Sequence, residues 1–252
     1  MSFRRILLNI AVLLAVAAMV IAGFWQLHRL SERRDRNSTI TDRSKLPVVE
    51  VQTLVESADG FDVGKDIEFR LIRAVGFYQT EDEVLIRNRT YQGSSGFWVL
   101  TPLLLQTGDI VAVNRGWIPH AAGTGAASAE FAPSTGEVQV VGLVRATVTA
   151  EGLQQSDPSS GVLAEMARPD LARLSQQLDG ALLPVYVQLQ AQTPSSGDLP
   201  VPVPPPDLGE GSHLAYAVQW FIFATIAAVG YPLILRRLGR PGDRSKAAQE
   251  AV

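Results

Sequence analysis

Residues His213–Leu235 read HLAYAVQWFIFATIAAVGYPLIL, and from Leu214 to Leu235 no side chain carries a charge. At about 1.5 Å per residue, such a helix crosses a hydrocarbon layer of about 30 Å. His213 stands at its front edge and Arg236–Arg237 close the back. At helical spacing His213, Tyr216 or Ala217, Trp220 and Ala224 share a stripe. An ionisable ring at the edge of an apolar helix marks a candidate site.

Working outward, Ile6–Leu27 is a second apolar run, interrupted only by Asn9 and Gln26, with Arg4 and Arg5 before it. Ala15-Val16-Ala17 resembles a signal-peptide cleavage site. The apolar run continues past it to Trp25, which favours an uncleaved anchor. Two spans put both termini on one side. Arg4, Arg5, Arg236, Arg237, Arg240, Arg244 and Lys246 flank them terminally, against Arg29, Arg33, Arg34 and Arg36 on the inner flank. The positive-inside rule therefore predicts cytoplasmic termini and an exported central domain. The segment before the first span is too short for a transit peptide, which predicts a bacterial cell membrane. The expected organisation is a terminus at 1–5, spans at 6–27 and 213–235, an exported domain over 28–192, a proline-rich linker over 193–212 and a tail over 236–252.

Small residues four apart, Ala11/Ala15, Ala18/Ala22 and Ala224/Ala228 with Gly230, either let the two spans pack closely or reflect the frequency of alanine in such segments. Trp25, Tyr216 and Trp220 suit one interfacial belt and Tyr231 the other. The absence of cysteine excludes a disulfide framework, thiolate metal sites and thiol nucleophiles. A net charge of −3 without a dense basic block in the central domain argues against nucleic acid.

Arg29–Asp42 extends the first helix before it breaks, and Pro47 opens an extended piece leading into a short helix or loop. Ile67–Tyr78 reads as a strand with Ile67, Phe69, Leu71, Val75 and Phe77 on one face. Val84–Arg89 is a second strand. Gly96–Leu105 and Ile110–Arg115 form an antiparallel pair about Gln106–Asp109. Val138–Thr149 is a strand with Gly142 at a bulge, and Pro184–Leu189 another. Pro169-Asp170 opens a helix with proline in its first turn, striped by Leu171, Leu174 and Leu178. Ala121–Thr135 and Gln154–Ser160 are loops, and Thr193–Ser212 is an extended, semi-rigid spacer. The fold class is a membrane protein: two transmembrane α-helices flank an exported α+β domain dominated by antiparallel β-strands, as a sheet or partly closed barrel.

No set of nucleophile, base and orienting group can be assembled, so the chain reads as a non-enzyme. Glu81, Asp82 and Glu83 read as a solvated run, and His28 and His120 as solvated or surface residues. His213 is either an interfacial polar residue or a ligand to a metal or haem iron, packed by the aromatics beneath it.

Four segments in order, Gly23–Leu30 (GFWQLHRL), Gly96 with Leu100–Leu103 (LTPL), Asn114–Pro119 (NRGWIP) and His213–Phe221 (HLAYAVQWF), resemble the surfeit locus protein 1 family. The two-span layout and length are also similar to that family. The resemblance implies an assembly factor for cytochrome c oxidase that assists insertion of haem a into the catalytic subunit. Its implied partners are the oxidase subunits and the haem a synthesis machinery. The family histidine of the second span matches His213, the implied axial ligand to haem iron. Tyr216 and Trp220 are then expected at the porphyrin, with Gln26 bonding a ring substituent. Arg115 and Trp117 read as structural, with a propionate contact as the alternative for Arg115. The rival expectation is a docking or scaffold protein that grips oxidase subunits without binding haem.

Overall fold

In the computed structural model the described residues are 3–56, 64–122, 131–152, 154, 156–195 and 197–238. Arg240, Arg244, Lys246 and most of the Ala121–Thr135 loop lie outside them. The chain forms two compact units, the described residues of Met1–Ser38 with Asp207–Val252, and Thr39–Pro206.

The first unit is a pair of helices, both long and apolar enough to cross a membrane. Helix α1 spans Phe3–Ser44, so Arg29–Asp42 does continue it. An Arg29–Glu32 ion pair and a His28–Glu32 contact, at helical spacing, support this charged extension. Its seam follows Asn9, Val12, Val16, Met19, Gly23, Gln26 and Leu30, the less exposed positions at steps of three and four. The second helix (numbered α5 in chain order) spans His213–Leu238 and continues through Pro232. It turns the buried Ala217 and Ala224 inward. The helices run antiparallel: Gln26 meets His213, Phe24 meets Phe221 edge-on at 5.4 Å, and Tyr231 donates to Asn9 at 2.5 Å. Close approach rests on Gly23, where a Cβ would lie 2.7 Å from the Phe221 ring. Ala11, Ala15 and Ala18 are exposed, because the seven-residue seam passes them by, so of the two readings of these alanines the one from their frequency in such segments holds.

The second unit is built on one mixed sheet. Its strands are β1 Val49–Glu50, β2 Leu71–Tyr78, β3 Val84–Tyr91, β4 Ser94–Leu105, β5 Ile110–Pro119, β6 Val138–Ala146, β7 Glu165–Met166 and β8 Leu182–Thr193. The order is β1-β2-β6-β8-β5-β4-β3-β7, and an added β2–β4 pairing closes a five-stranded ring. All five ring strands supply one interior cluster, including Ile72, Leu103, Val111, Val113, Val140, Val144, Val185 and Val187. Short helix α2, Val51–Val55, adds two valines to it.

Antiparallel pairs predominate, but β1–β2, β3–β7 and β5–β8 are parallel, so the sheet is not purely antiparallel. Strand β8 returns by a long connection that carries α4 (Leu171–Ser175) and inserts between β5 and β6. Strand β4 changes neighbours along its length. Its first part pairs with β3, while Leu103–Leu105 pair with β2. Pro102 stands at the change, where its carbonyl accepts from the Gln79 N–H. Beyond the ring, β3 and β7 extend the sheet as a wing. Val84 and Ile86 pack on Met166, Leu171 and Leu174, while Leu85 packs with Phe97, Val99 and Phe131 on the other face. A strand covered on both faces explains the unbroken apolar run Val84–Ile86.

Three expectations are corrected. The first predicted strand begins at Leu71, because Ile67 ends helix α3 (Gly64–Ile67) and Phe69 has φ +69°. Its buried face is Ile72, Ala74 and Gly76, with Phe77 half exposed; position 76 is taken by glycine because a Cβ there would strike the Leu104 carbonyl. Pro169 lies before the first turn of α4 rather than in it: Asp170 is the cap, accepting from the Arg173 N–H, and the helix ends at Ser175, short of Leu178. The proline-rich segment is also no free spacer: Val201 exchanges backbone bonds with Trp117, and Gln188 donates to the carbonyls of Val203 and Pro204.

Candidate functional site

The mouth of the helix pair is assembled by the charged extension of α1. Arg33 donates to the Gly209 carbonyl at 2.9 Å and reaches the Asp207 carboxylate at 3.4 Å. Arg34 pairs with Glu210 through two bonds of 2.8 and 2.9 Å, and Asn37 donates to the Leu208 carbonyl at 2.6 Å. The bidentate guanidinium holds the Glu210 carboxyl below its ordinary range. Residues 207–210 are thereby fastened along α1 just before α5 begins.

Within this mouth His213 Nδ1 lies 2.9 Å from the Gln26 side-chain oxygen, bringing two predicted site residues together. Arg29, Glu32, Arg33, Arg36 and His213 line one pocket of about 320 Å³. Gly211 turns beside the ring with φ +70°, a conformation suited to glycine. A Cβ there would stand 3.8 Å from His213 Nε2. Trp220 is half-buried toward the seam, whereas Tyr216 is half-exposed and Ala217 takes the inward position. His28 is exposed and pairs with Glu32. His120 is exposed and stacks on Phe97 at 5.0 Å. Among the described residues no three His, Asp or Glu side chains group as a metal site.

Sequence reading passed over Asp207 and Glu210 and took Arg29, Arg33 and Arg36 only as charges flanking the first apolar run. Their available signal was two carboxylates just before His213, facing arginines spaced along one helix.

The Asn114–Trp117 segment is structural. Between Val99 and Leu100 the β4–β5 register skips Arg115, so this residue is the extra one of a β-bulge. The bulge sends its guanidinium inward, fully buried, to donate to Glu83 at 3.0 Å and to the Phe131 carbonyl at 2.5 Å. Thr101 also donates to Glu83, at 2.6 Å. Glu83 is thus buried rather than part of a solvated run, and desolvation raises its pKa against the pull of Thr101 and Arg115. Gly116 has φ +140°, and a Cβ there would lie 2.3 Å from the Val201 carbonyl. Trp117 is buried and donates to the Arg89 carbonyl at 3.2 Å.

Two helices long and apolar enough to cross a membrane flank a sheet-rich domain, with one histidine at the mouth of the helix pair, an arrangement compatible with a membrane-anchored protein. The chain belongs to the SURF1 family, whose sequence model matches residues 13–225. An uncharacterised SURF1-like protein of Mycobacterium tuberculosis is 28% identical over 215 residues, covering 82% of this chain and 73% of that protein. A SURF1-like protein of Rickettsia bellii is 21% identical over 249 residues, covering 96% and 97%. One from Monosiga brevicollis is 24% identical over 241 residues, covering 88% and 84%.

Proposed function

We propose that this chain is an assembly factor for cytochrome c oxidase that receives haem a at the mouth of the helix pair and passes it to the catalytic subunit. Family membership supports the assembly role. The observation that carries the haem reading is His213, held by Gln26 beside three arginines in one pocket. The donor set fits the cargo: haem a brings an iron that takes an imidazole nitrogen and propionates that take guanidinium donors. His213 is the iron ligand in this reading, and Arg29 and Arg36 receive propionates. Arg33 keeps the 207–210 segment in place. Trp220 covers the apolar side of the ring. Tyr216, half-exposed on α5, joins it only if the helices turn on loading. A single protein ligand suits a carrier that must release what it holds. The central domain lies outside a bacterial cell membrane with both termini in the cytoplasm, where it meets oxidase subunits and the haem a synthesis machinery.

The test is the visible spectrum of detergent-purified protein coexpressed with haem a synthesis, beside its His213→Ala variant. The expected result is a Soret band in the wild type that the variant loses. A colourless wild type, or a variant with the full band, removes the carrier reading and leaves a docking protein for oxidase subunits.

A further inference from the structure

We infer that Gln26 is a positioning residue that fixes the tautomer of His213, placing the ring proton on Nδ1 and leaving Nε2 as the bare, ligating nitrogen. This rests on the carrier reading only for what Nε2 then binds.

A neutral imidazole has one N–H and one lone pair, and the group facing each nitrogen decides which is which. Nδ1 faces the carbonyl oxygen of the Gln26 amide at 2.9 Å, and a carbonyl oxygen only accepts. The proton therefore sits on Nδ1. The other nitrogen lies on the Gly211 side of the ring, where a Cβ would stand 3.8 Å from Nε2 and the glycine has none. Gln26 is also one of only two polar residues in the Ile6–Leu27 run. The other, Asn9, is taken up by the Tyr231 hydroxyl. An amide in an apolar helix needs a partner, and that of Gln26 is the imidazole on the facing helix. An acceptor behind a ligating histidine also raises the basicity of the ligating nitrogen and holds the ring's orientation.

The experiment labels histidine with ¹⁵N in the detergent-solubilised full chain, where His28 and His120 are the only other signals and are assigned by substitution. Spectra are taken at about pH 8, above the ordinary imidazole range. Haemin is then titrated into the same samples. The wild type is expected to show Nδ1–H at His213. Gln26→Met, with no acceptor, is expected to lose that state and to bind haemin about 10- to 100-fold more weakly. Gln26→Glu, which still accepts, is expected to keep the tautomer and most of the affinity. An Nε2–H ring in the wild type, or Gln26→Met unchanged in both readouts, overturns the inference. A wild type with Nδ1–H that takes up no haemin upholds the tautomer and removes the carrier reading instead.

Discussion

Arg115 shows how much one residue can commit. Its charge lies where no water reaches, and its worth depends on Glu83 remaining opposite. Removing one member of a buried pair strands the other, at a cost of about 3–5 kcal/mol. Arg115→Met is therefore expected to destabilise the central domain by about that amount, read as a lower melting temperature of the full chain in detergent. The pH dependence has a definite sign. Burial raises Glu83 in the folded state, so its contribution to stability is present at acid pH and lost as pH rises through the folded value. Without Arg115 that loss deepens. The deficit of Arg115→Met is thus expected to be larger at about pH 8 than at about pH 5, and a pH-independent deficit would contradict the account. Nothing in Glu81-Asp82-Glu83 distinguishes the buried member from its neighbours. The distinction arises from the bulge that aims Arg115, a property of strand register.

Among elements, the helix pair uses Gly23 to make room for the Phe221 ring of the facing helix. Gly23→Val would drive a branched side chain into the Phe221 ring, and overpacking of this kind costs about 1–3 kcal/mol. The expected outcome is a lower melting temperature of the solubilised protein, partly restored when Phe221→Ala is added to make room. A double variant no better than the single one would show that Phe221 is not what Gly23 accommodates. Elements whose partners are sequence neighbours were legible. The β4–β5 hairpin follows from two apolar runs about Gln106–Asp109, with Gly108 at φ +92° completing the turn. Elements whose partners lie far away were not. The parallel β5–β8 pairing joins Ala112 to Tyr186, and no local pattern records it. The same limit applies at the mouth, where both His213 and Gln26 stood out as polar residues at apolar runs. Only the register of two antiparallel helices shows that they face each other.

For the molecule as a whole, the lack of native cysteine makes its topology directly testable. Single cysteines introduced by Ser2→Cys or Ser245→Cys are expected to resist a membrane-impermeant maleimide in intact cells. One at an exposed central position, Val162→Cys, is expected to react. The reverse pattern would invert the orientation drawn from the arginines and lysines around the spans. Apolar length and hydropathy made the two long apolar helices readable without any knowledge of the fold between them. The closed ring was less readable, because β2 carries apolar residues on both faces: Leu71, Val75 and the half-exposed Phe77 stand opposite the buried Ile72 and Ala74, so hydrophobicity alone does not name the inward side.

The change of partners along β4 has a consequence for how this domain comes apart. One continuous backbone serves as a wall of the ring at Leu103–Leu105 and as the spine of the wing before it. Peeling the wing away frees β3 from the same strand whose far end locks β2 to the ring. Neither half has a private boundary at which fraying could stop. The ring and wing are therefore expected to open as one cooperative unit, so that a lesion in the wing lowers the hydrogen-exchange protection of ring amides.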